Sequence, residues 1–117
     1  MRYLCLIYDD EKNMAAMSDA ERQAFMAEYR AFTDSVQASG NYVAGEPLQS
    51  VQTATSVRIR NGKLSATDGP FAETKEQLGG FYMIDAKDLN EAIQIAARIP
   101  TARQGCIEVR PVWVLPH

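Results

Sequence analysis

The dipeptide Asn61-Gly62 constrains the fold of this chain more than any other short feature. Between two alternating segments, such a pair is the strongest short-range signal for a β-hairpin with a type I′ turn. Folding the flanking segments back about that turn places Ile59 opposite Leu64 and Val57 opposite Ala66. All four apolar side chains then share one face, so we expect a hairpin in this register.

The first long helix is marked at both ends. Ser18 and Glu21 form an S-x-x-E capping box, and Gly40 stands where helices commonly end in the left-handed conformation. The pattern predicts a helix over residues 19–39. Its apolar residues follow at spacings of four, three and four, which makes one buried stripe of Phe25, Tyr29, Phe32 and Val36.

Apolar or alternating runs predict further strands at residues 2–8, 41–45, 80–85 and 106–114. We expect Ile107, Val109 and Trp113 to share one face of the last strand. Residues 9–13 are predicted to be a solvated break rather than a cation site.

A second helix is predicted after the capping pattern of Asp88 and Glu91, and Pro100 ends it. Its buried stripe is expected to consist of Leu89, Ala92, Ile93, Ala96 and Ala97.

The order of elements matches an α+β fold, a ferredoxin-like βαββαβ sandwich with an inserted β-hairpin. At 117 residues the chain suits a single domain over residues 1–117. Both helices would cover one side of the sheet and leave its other face bare. Since an uncovered apolar face usually finds a partner, we expect a homodimer.

Composition excludes several classes of protein. A net charge of −3 without a basic patch argues against nucleic-acid binding. No apolar run approaches the roughly 20 residues of a membrane helix, and the first residues do not resemble a signal peptide, so we expect a cytoplasmic protein. Cys5 and Cys106 are predicted to be buried free thiols, and no zinc-type spacing is present. No tightly bound metal or cofactor is expected.

The segment 68–80, DGPFAETKEQLGG, carries polar chemistry that no hydrophobic period explains. Asp68 would continue the apolar face of the hairpin, which is an unusual place for a carboxylate. In a partly dry pocket Asp68 could act as a catalytic acid or base. The alternative is a structural role, in which Asp68 accepts backbone hydrogen bonds in the turn at Gly69 and Pro70.

Several other side chains are candidates for ligand contacts: Tyr29, Glu46, Gly69, Pro70, Phe71, Glu73, Thr74, Lys75 and Arg110. Each has a structural alternative. Phe71 could fill the core, Lys75 could belong to a solvated turn, and Arg110 could pair with an internal carboxylate rather than with a substrate.

The string DGPFAETKEQLGG, the following Phe81-Tyr82, the GEPL loop at 45–48 and the EVRPV run at 108–112 resemble the YCII-related family, in its DGPF subgroup. The resemblance implies a ferredoxin-like fold of the dimeric α/β-barrel type. Some YCII-related proteins carry a His–Asp pair suggested as an active site, but the single histidine here is His117, so that pair does not carry over. Similar proteins are often encoded beside sigma factors, which implies a regulatory role.

Two functions from different classes remain open. The chain could be a small-molecule pocket protein without a cofactor, as an enzyme that uses Asp68 as acid or base. Alternatively it could be a non-catalytic ligand sensor or interaction module, docked by a regulatory partner such as a sigma factor. As a third reading, the segment 68–80 would be a structural arm of the dimer.

Overall fold

The computed structural model describes residues 1–116. In chain order the elements are β1 (Arg2–Asp9), α1 (Glu11–Ala15), α2 (Asp19–Ala38), β2 (Tyr42–Pro47), β3 (Thr55–Arg60), β4 (Lys63–Asp68), β5 (Gln77–Asp85), α3 (Leu89–Ala96) and β6 (Cys106–Pro111). Short 3-10 turns lie at Val51–Thr53 and Pro100–Arg103.

Four strands form one antiparallel sheet in the order β2-β5-β1-β6, while β3 and β4 form a separate two-stranded ladder. The first and last strands of the ferredoxin-like core therefore pair with each other, as the predicted topology requires. This confirms the α+β ferredoxin-like fold with an inserted hairpin. We call residues 55–68, which comprise β3, β4 and their turn, the arm.

The arm has the predicted register. Ile59 lies opposite Leu64 and Val57 opposite Ala66, and the turn residues have φ of 52° at Asn61 and 73° at Gly62. Both turn residues therefore lie in the left-handed region that a type I′ turn requires.

Local signals also place α2 correctly. Ser18 accepts a hydrogen bond from the Glu21 backbone N–H, and the Glu21 side chain accepts one from the Ser18 N–H. Gly40 follows the helix with φ of 80°. The helix buries Phe25, Phe32 and Val36, of which Phe32 and Val36 belong to the core, while Tyr29 is half-buried.

The core lies between one face of the sheet and helices α2 and α3. Its side chains come from alternate positions of β1 and β5 and from the inner stripes of the helices, and they include Tyr3, Cys5, Ile7, Phe32, Val36, Tyr82, Ile84, Ala92, Ile95 and Ile99. The opposite face of the sheet carries half-buried apolar side chains from the same strands, among them Leu4, Leu6, Phe81 and Met83.

Three local predictions were wrong. The solvated break after β1 contains α1, which is too short for an apolar period to reveal it. Helix α3 buries Ala92, Ile95 and Ala96. Its buried stripe therefore contains Ile95 and not Ile93, which is 46% exposed. Strand β6 ends at Pro111, and Trp113 is 82% exposed beyond it rather than in the sheet.

Both thiols are free. Cys5 is buried as predicted, but Cys106 is exposed, because it stands at the start of an edge strand on the face without helices. No helix within residues 1–116 combines the length and the apolar character needed to cross a membrane.

Candidate functional site

A cleft of about 1090 Å³ separates α2 from strands β2 and β5, with α1 contributing to one end. Two glycines lie where these strands meet the cleft. A Cβ at Gly45 would come within 2.8 Å of the Tyr82 ring, and one at Gly80 within 2.9 Å of the Glu46 carbonyl oxygen. Glycine thus lets β2 and β5 approach each other while the Tyr82 ring lies across them.

Four aromatic side chains line the cleft, and they come from α2, β2 and β5: Phe25, Tyr29, Tyr42 and Tyr82. Edge-to-face pairs form both within α2 and within the sheet. The Phe25 and Tyr29 centroids are 5.5 Å apart, and those of Tyr42 and Tyr82 are 6.4 Å apart. Most of the exposed surface of the cleft is apolar, as is typical of small-molecule sites, although many of its lining residues are polar or charged.

The hydroxyl of Tyr82 is held by a short relay on α2. Thr33 Oγ1 donates to the Tyr29 carbonyl oxygen at 3.0 Å, and it lies 2.7 Å from the Tyr82 hydroxyl. Either hydroxyl can be the donor between Thr33 and Tyr82. When Thr33 gives its single proton to the Tyr29 carbonyl, Tyr82 donates to Thr33 Oγ1. The Tyr82 oxygen keeps acceptor capacity for a further partner.

The hydroxyl of Tyr29 lies 2.5 Å from Thr101 Oγ1, which is buried in the turn after α3. Burial raises the pKa of Tyr29 and of Tyr82, and the nearby Asp9 carboxylate adds to the rise at Tyr29. Both phenols are neutral at physiological pH, so they act as hydrogen-bonding groups rather than as phenolate nucleophiles.

The α1 end of the cleft is polar and well ordered. Asp9 accepts hydrogen bonds from the side-chain amides of Asn13 and Gln104, at 2.7 Å each. Glu11 accepts from Ser50 Oγ at 2.8 Å and from the Val51 N–H at 3.0 Å. These bonds tie α1 to the segment that leads into the arm.

Of the residues predicted to form the site, the cleft contains Tyr29 and Glu46. The others lie outside it: Asp68, Gly69, Pro70, Phe71, Glu73, Thr74, Lys75 and Arg110. The expected pocket around Asp68, Glu73 and Tyr29 is therefore not formed within residues 1–116.

Asp68 is exposed at the end of β4, opposite Thr55. Its carboxylate accepts no hydrogen bond from residues 1–116, so a single chain shows neither a dry pocket nor a turn cap at this position. The turn is closed instead by Gly69, with φ of 108°, whose N–H donates to the Ala54 carbonyl at 2.7 Å. Ser56 Oγ donates to the Gly69 carbonyl at 2.8 Å.

The remaining candidates are also exposed. Phe71 is 80% exposed and fills no core position. Thr74 is engaged locally, because Gln77 donates to its carbonyl at 2.7 Å. Arg110 pairs with Glu108 on the face of the sheet away from the helices, so the internal pairing is the alternative that the structure shows.

Sequence reasoning missed Tyr82, Thr33 and Thr101. Their hydrogen bonds join residues 49 and 72 positions apart in the chain, which no local pattern reveals. One signal was available, since Thr33 lies four residues after Tyr29 on the helix and therefore on the same face. Within residues 1–116, no group of three or more His, Cys, Asp or Glu side chains is arranged to hold a metal ion.

Comparison with known proteins places the chain in context. The YCII-related domain matches residues 1–116. An uncharacterized protein of Rhizobium meliloti (strain 1021) is 37% identical over 114 residues, which cover 96% of this chain and 92% of that protein. A solved structure of 5-chloro-2-hydroxyhydroquinone dehydrochlorinase from Burkholderia phenoliruptrix AC1100, in complex with 2,5-dihydroxybenzoquinone, aligns with a TM-score of 0.56 at 15% identity. The alignment covers 97% of this chain and 94% of the enzyme, and at this identity it shows a shared fold.

Proposed function

The chain belongs to the YCII-related family, and from that premise we propose that it binds a small hydroxylated organic molecule in the cleft beside α2. One observation carries the proposal. The aromatic cleft presents the hydroxyl of the buried Tyr82, which lies 2.7 Å from Thr33 Oγ1.

The direction of this hydrogen bond defines the ligand. With Thr33 donating to the Tyr29 carbonyl, Tyr82 donates to Thr33 and its oxygen accepts from a ligand. We therefore propose that the ligand brings a donor such as a hydroxyl group. The surrounding rings favour an apolar or aromatic body, since aromatic pairs contribute about 0.5–1.5 kcal/mol beyond the burial of area. A phenol meets both requirements with few atoms.

The solved enzyme of the same fold supports this ligand class. That enzyme is a dehydrochlorinase of 5-chloro-2-hydroxyhydroquinone, and its structure contains 2,5-dihydroxybenzoquinone. Both are small oxygenated rings of the kind that the cleft would accept, so hydroquinones are the rational first probes.

We further propose that the chain catalyses a reaction in this cleft without a resident cofactor. The neutral hydroxyl of Tyr29, beside Thr101, could stabilise negative charge that develops on a ligand oxygen. On this view Tyr29 replaces Asp68 as the acid–base candidate, since Asp68 lies outside the cleft in a single chain. The alternative function, a non-catalytic module docked by a partner such as a sigma factor, stays a prediction.

A homodimer is part of the proposal. The sheet face opposite the helices carries Leu4, Leu6, Phe81 and Met83, which are only half-buried in one chain. Pairing two such faces would remove apolar surface from water at about 25 cal/mol per Å².

The test uses phenols and hydroquinones, each matched with its methyl ether, in thermal-shift and calorimetric titrations. A ligand at 100 times its Kd adds about 2.7 kcal/mol to the unfolding free energy. Tyr82→Phe keeps the ring but removes the acceptor. A net hydrogen bond contributes about 0.5–1.5 kcal/mol, so this variant should bind the phenol about 2- to 12-fold more weakly.

Asp68→Asn is the matched control, because Asp68 lies on the arm outside the cleft. The methyl ether should bind wild type and Tyr82→Phe equally, since it has no proton to donate. Phenol binding that Asp68→Asn abolishes and Tyr82→Phe leaves intact would contradict the proposal, as would a panel without any ligand.

A further inference from the structure

The arm carries an apolar face that its own chain does not cover. Val57 is 62% exposed, Ile59 61% and Leu64 71%, and the register places all three on the same side of the hairpin. We infer that the arm of one copy closes the mouth of the cleft in a second copy, so that the binding site is completed by two chains. The inference rests on the proposed function only in taking the cleft as the ligand site.

The arm projects from the body of the chain. The radius of gyration is 16.3 Å, whereas a compact chain of this length has about 13 Å. A two-stranded hairpin without packing partners is only marginally stable in water. An arm of fourteen residues in defined strands therefore calls for a surface that covers its apolar face.

The arm is held away from the cleft of its own chain. The base is fixed by the bonds of Glu11 to Ser50 and Val51 and by the bond from Gly69 to Ala54. None of residues 55–68 lines the cleft within the chain. A second copy related by twofold symmetry can offer its cleft and receive an arm in return.

The cleft has the capacity for such an element. Its volume of about 1090 Å³ lies at the top of the range of roughly 300–1,000 Å³ seen for sites of drug-sized ligands. A single phenol would leave the outer part of the cleft open to water. Apolar side chains of an arm would fill that outer part and exclude water from the Tyr82 hydroxyl.

Charge favours the cleft over other surfaces of the second copy. The arm carries Arg58, Arg60 and Lys63, none of which pairs with a carboxylate within residues 1–116. The cleft is lined by only two basic residues, Lys12 and Arg30. Its acidic residues outnumber them and are Asp9, Asp10, Glu11, Asp34 and Glu46. The register puts these basic residues on the face of the arm opposite its apolar side chains. They would therefore stay outside the cleft and steer the arm toward its acidic rim.

Cross-linking between two distinguishable copies tests the inference. One chain carries Leu64→Cys on the arm, and a mass-tagged second chain carries Met26→Cys, at a residue that lines the cleft and is 42% exposed. Both chains also carry Cys106→Ser, which removes the exposed thiol and leaves only the buried Cys5. The mixed chains are treated with a short bismaleimide.

We expect a cross-linked heterodimer from this pair and loss of that product when Arg58→Glu and Arg60→Glu are added to the arm. A second chain with Leu89→Cys, an exposed position on α3, is the control and should give no product. Equal yields at Met26 and Leu89, or a monomer in sedimentation, would each overturn the inference.

Ligand titration of the wild type and of the arm variants, which keep Met26, separates the two proposals. If the Leu64–Met26 product is absent but phenols still bind and Tyr82→Phe weakens their binding, the arm inference fails and the proposed function stands. If the product forms and no phenol binds, the arm inference stands and the ligand class fails. The arm variants leave every residue of the cleft unchanged.

Discussion

Alanine substitutions at the two adjacent glycines near the start of β5, Gly79 and Gly80, should change the free energy of unfolding in opposite directions. Both lie outside the left-handed region, so alanine strains the backbone at neither. A Cβ at Gly79 meets nothing within 4 Å. A Cβ at Gly80 lies 2.9 Å from the Glu46 carbonyl oxygen and 3.2 Å from Pro47 Cα, whereas ordinary contacts begin at 3.4 Å. Strand β2 would have to move away from β5 by about half an ångström.

The magnitudes follow from two terms. Replacing glycine by alanine at an unstrained position stabilises by about 0.4–1 kcal/mol, because the unfolded chain loses freedom. Overpacking costs about 1–3 kcal/mol, and it applies only at Gly80. Gly79→Ala should therefore raise the unfolding free energy by about 0.4–1 kcal/mol. Gly80→Ala should lower it by about 1.3 kcal/mol, the difference between the middle values of the two ranges.

Urea unfolding followed by far-UV circular dichroism, at one protein concentration, measures both variants. In thermal melts the pair should differ by several degrees, at about 3–6 °C per kcal/mol for this length. Equal stability of Gly79→Ala and Gly80→Ala would refute the account of how β2 and β5 form the wall of the cleft.

Three further predictions concern the caps and the buried hydroxyl and thiol groups. Ser18→Ala should lower the unfolding free energy by about 1 kcal/mol in urea, because it removes the cap that accepts from Glu21. A thiol reagent should modify one cysteine rapidly in the native state, Cys106, and two after denaturation, since Cys5 is fully buried. Burial raises the pKa of Cys5 from 9.0 to about 11, so the unfolded thiol ionises first and stability should fall between pH 9 and pH 11. The raised pKa of Tyr29 has the same sign, and a urea midpoint that does not fall over this window would contradict both shifts.

Sequence patterns predicted the features that are written locally. The type I′ turn at Asn61-Gly62 fixed the register of the arm, and the capping box at Ser18 fixed the start of α2. The order of strands and helices then left a ferredoxin-like topology as the simplest arrangement. Helix α1 was not predicted, because five residues are too few to show a helical period.

The candidate site was harder to predict because it is built from distant residues. Tyr29 was named from its place in the α2 stripe, but its partner Thr101 lies 72 residues later. Asp68 was predicted as a catalytic candidate because strand alternation puts its carboxylate on an apolar face. That face belongs to the arm and is exposed in one chain, so the same alternation marks an interaction surface rather than the cleft.

A crystal structure of the protein with the tightest-binding phenol of the panel would test the central claim most directly. We predict the ring between α2 and β5, with its hydroxyl about 2.7 Å from the Tyr82 oxygen and donating to it. A phenol bound beside Asp68 on the arm, or one in the cleft without a contact to Tyr82, would contradict the account.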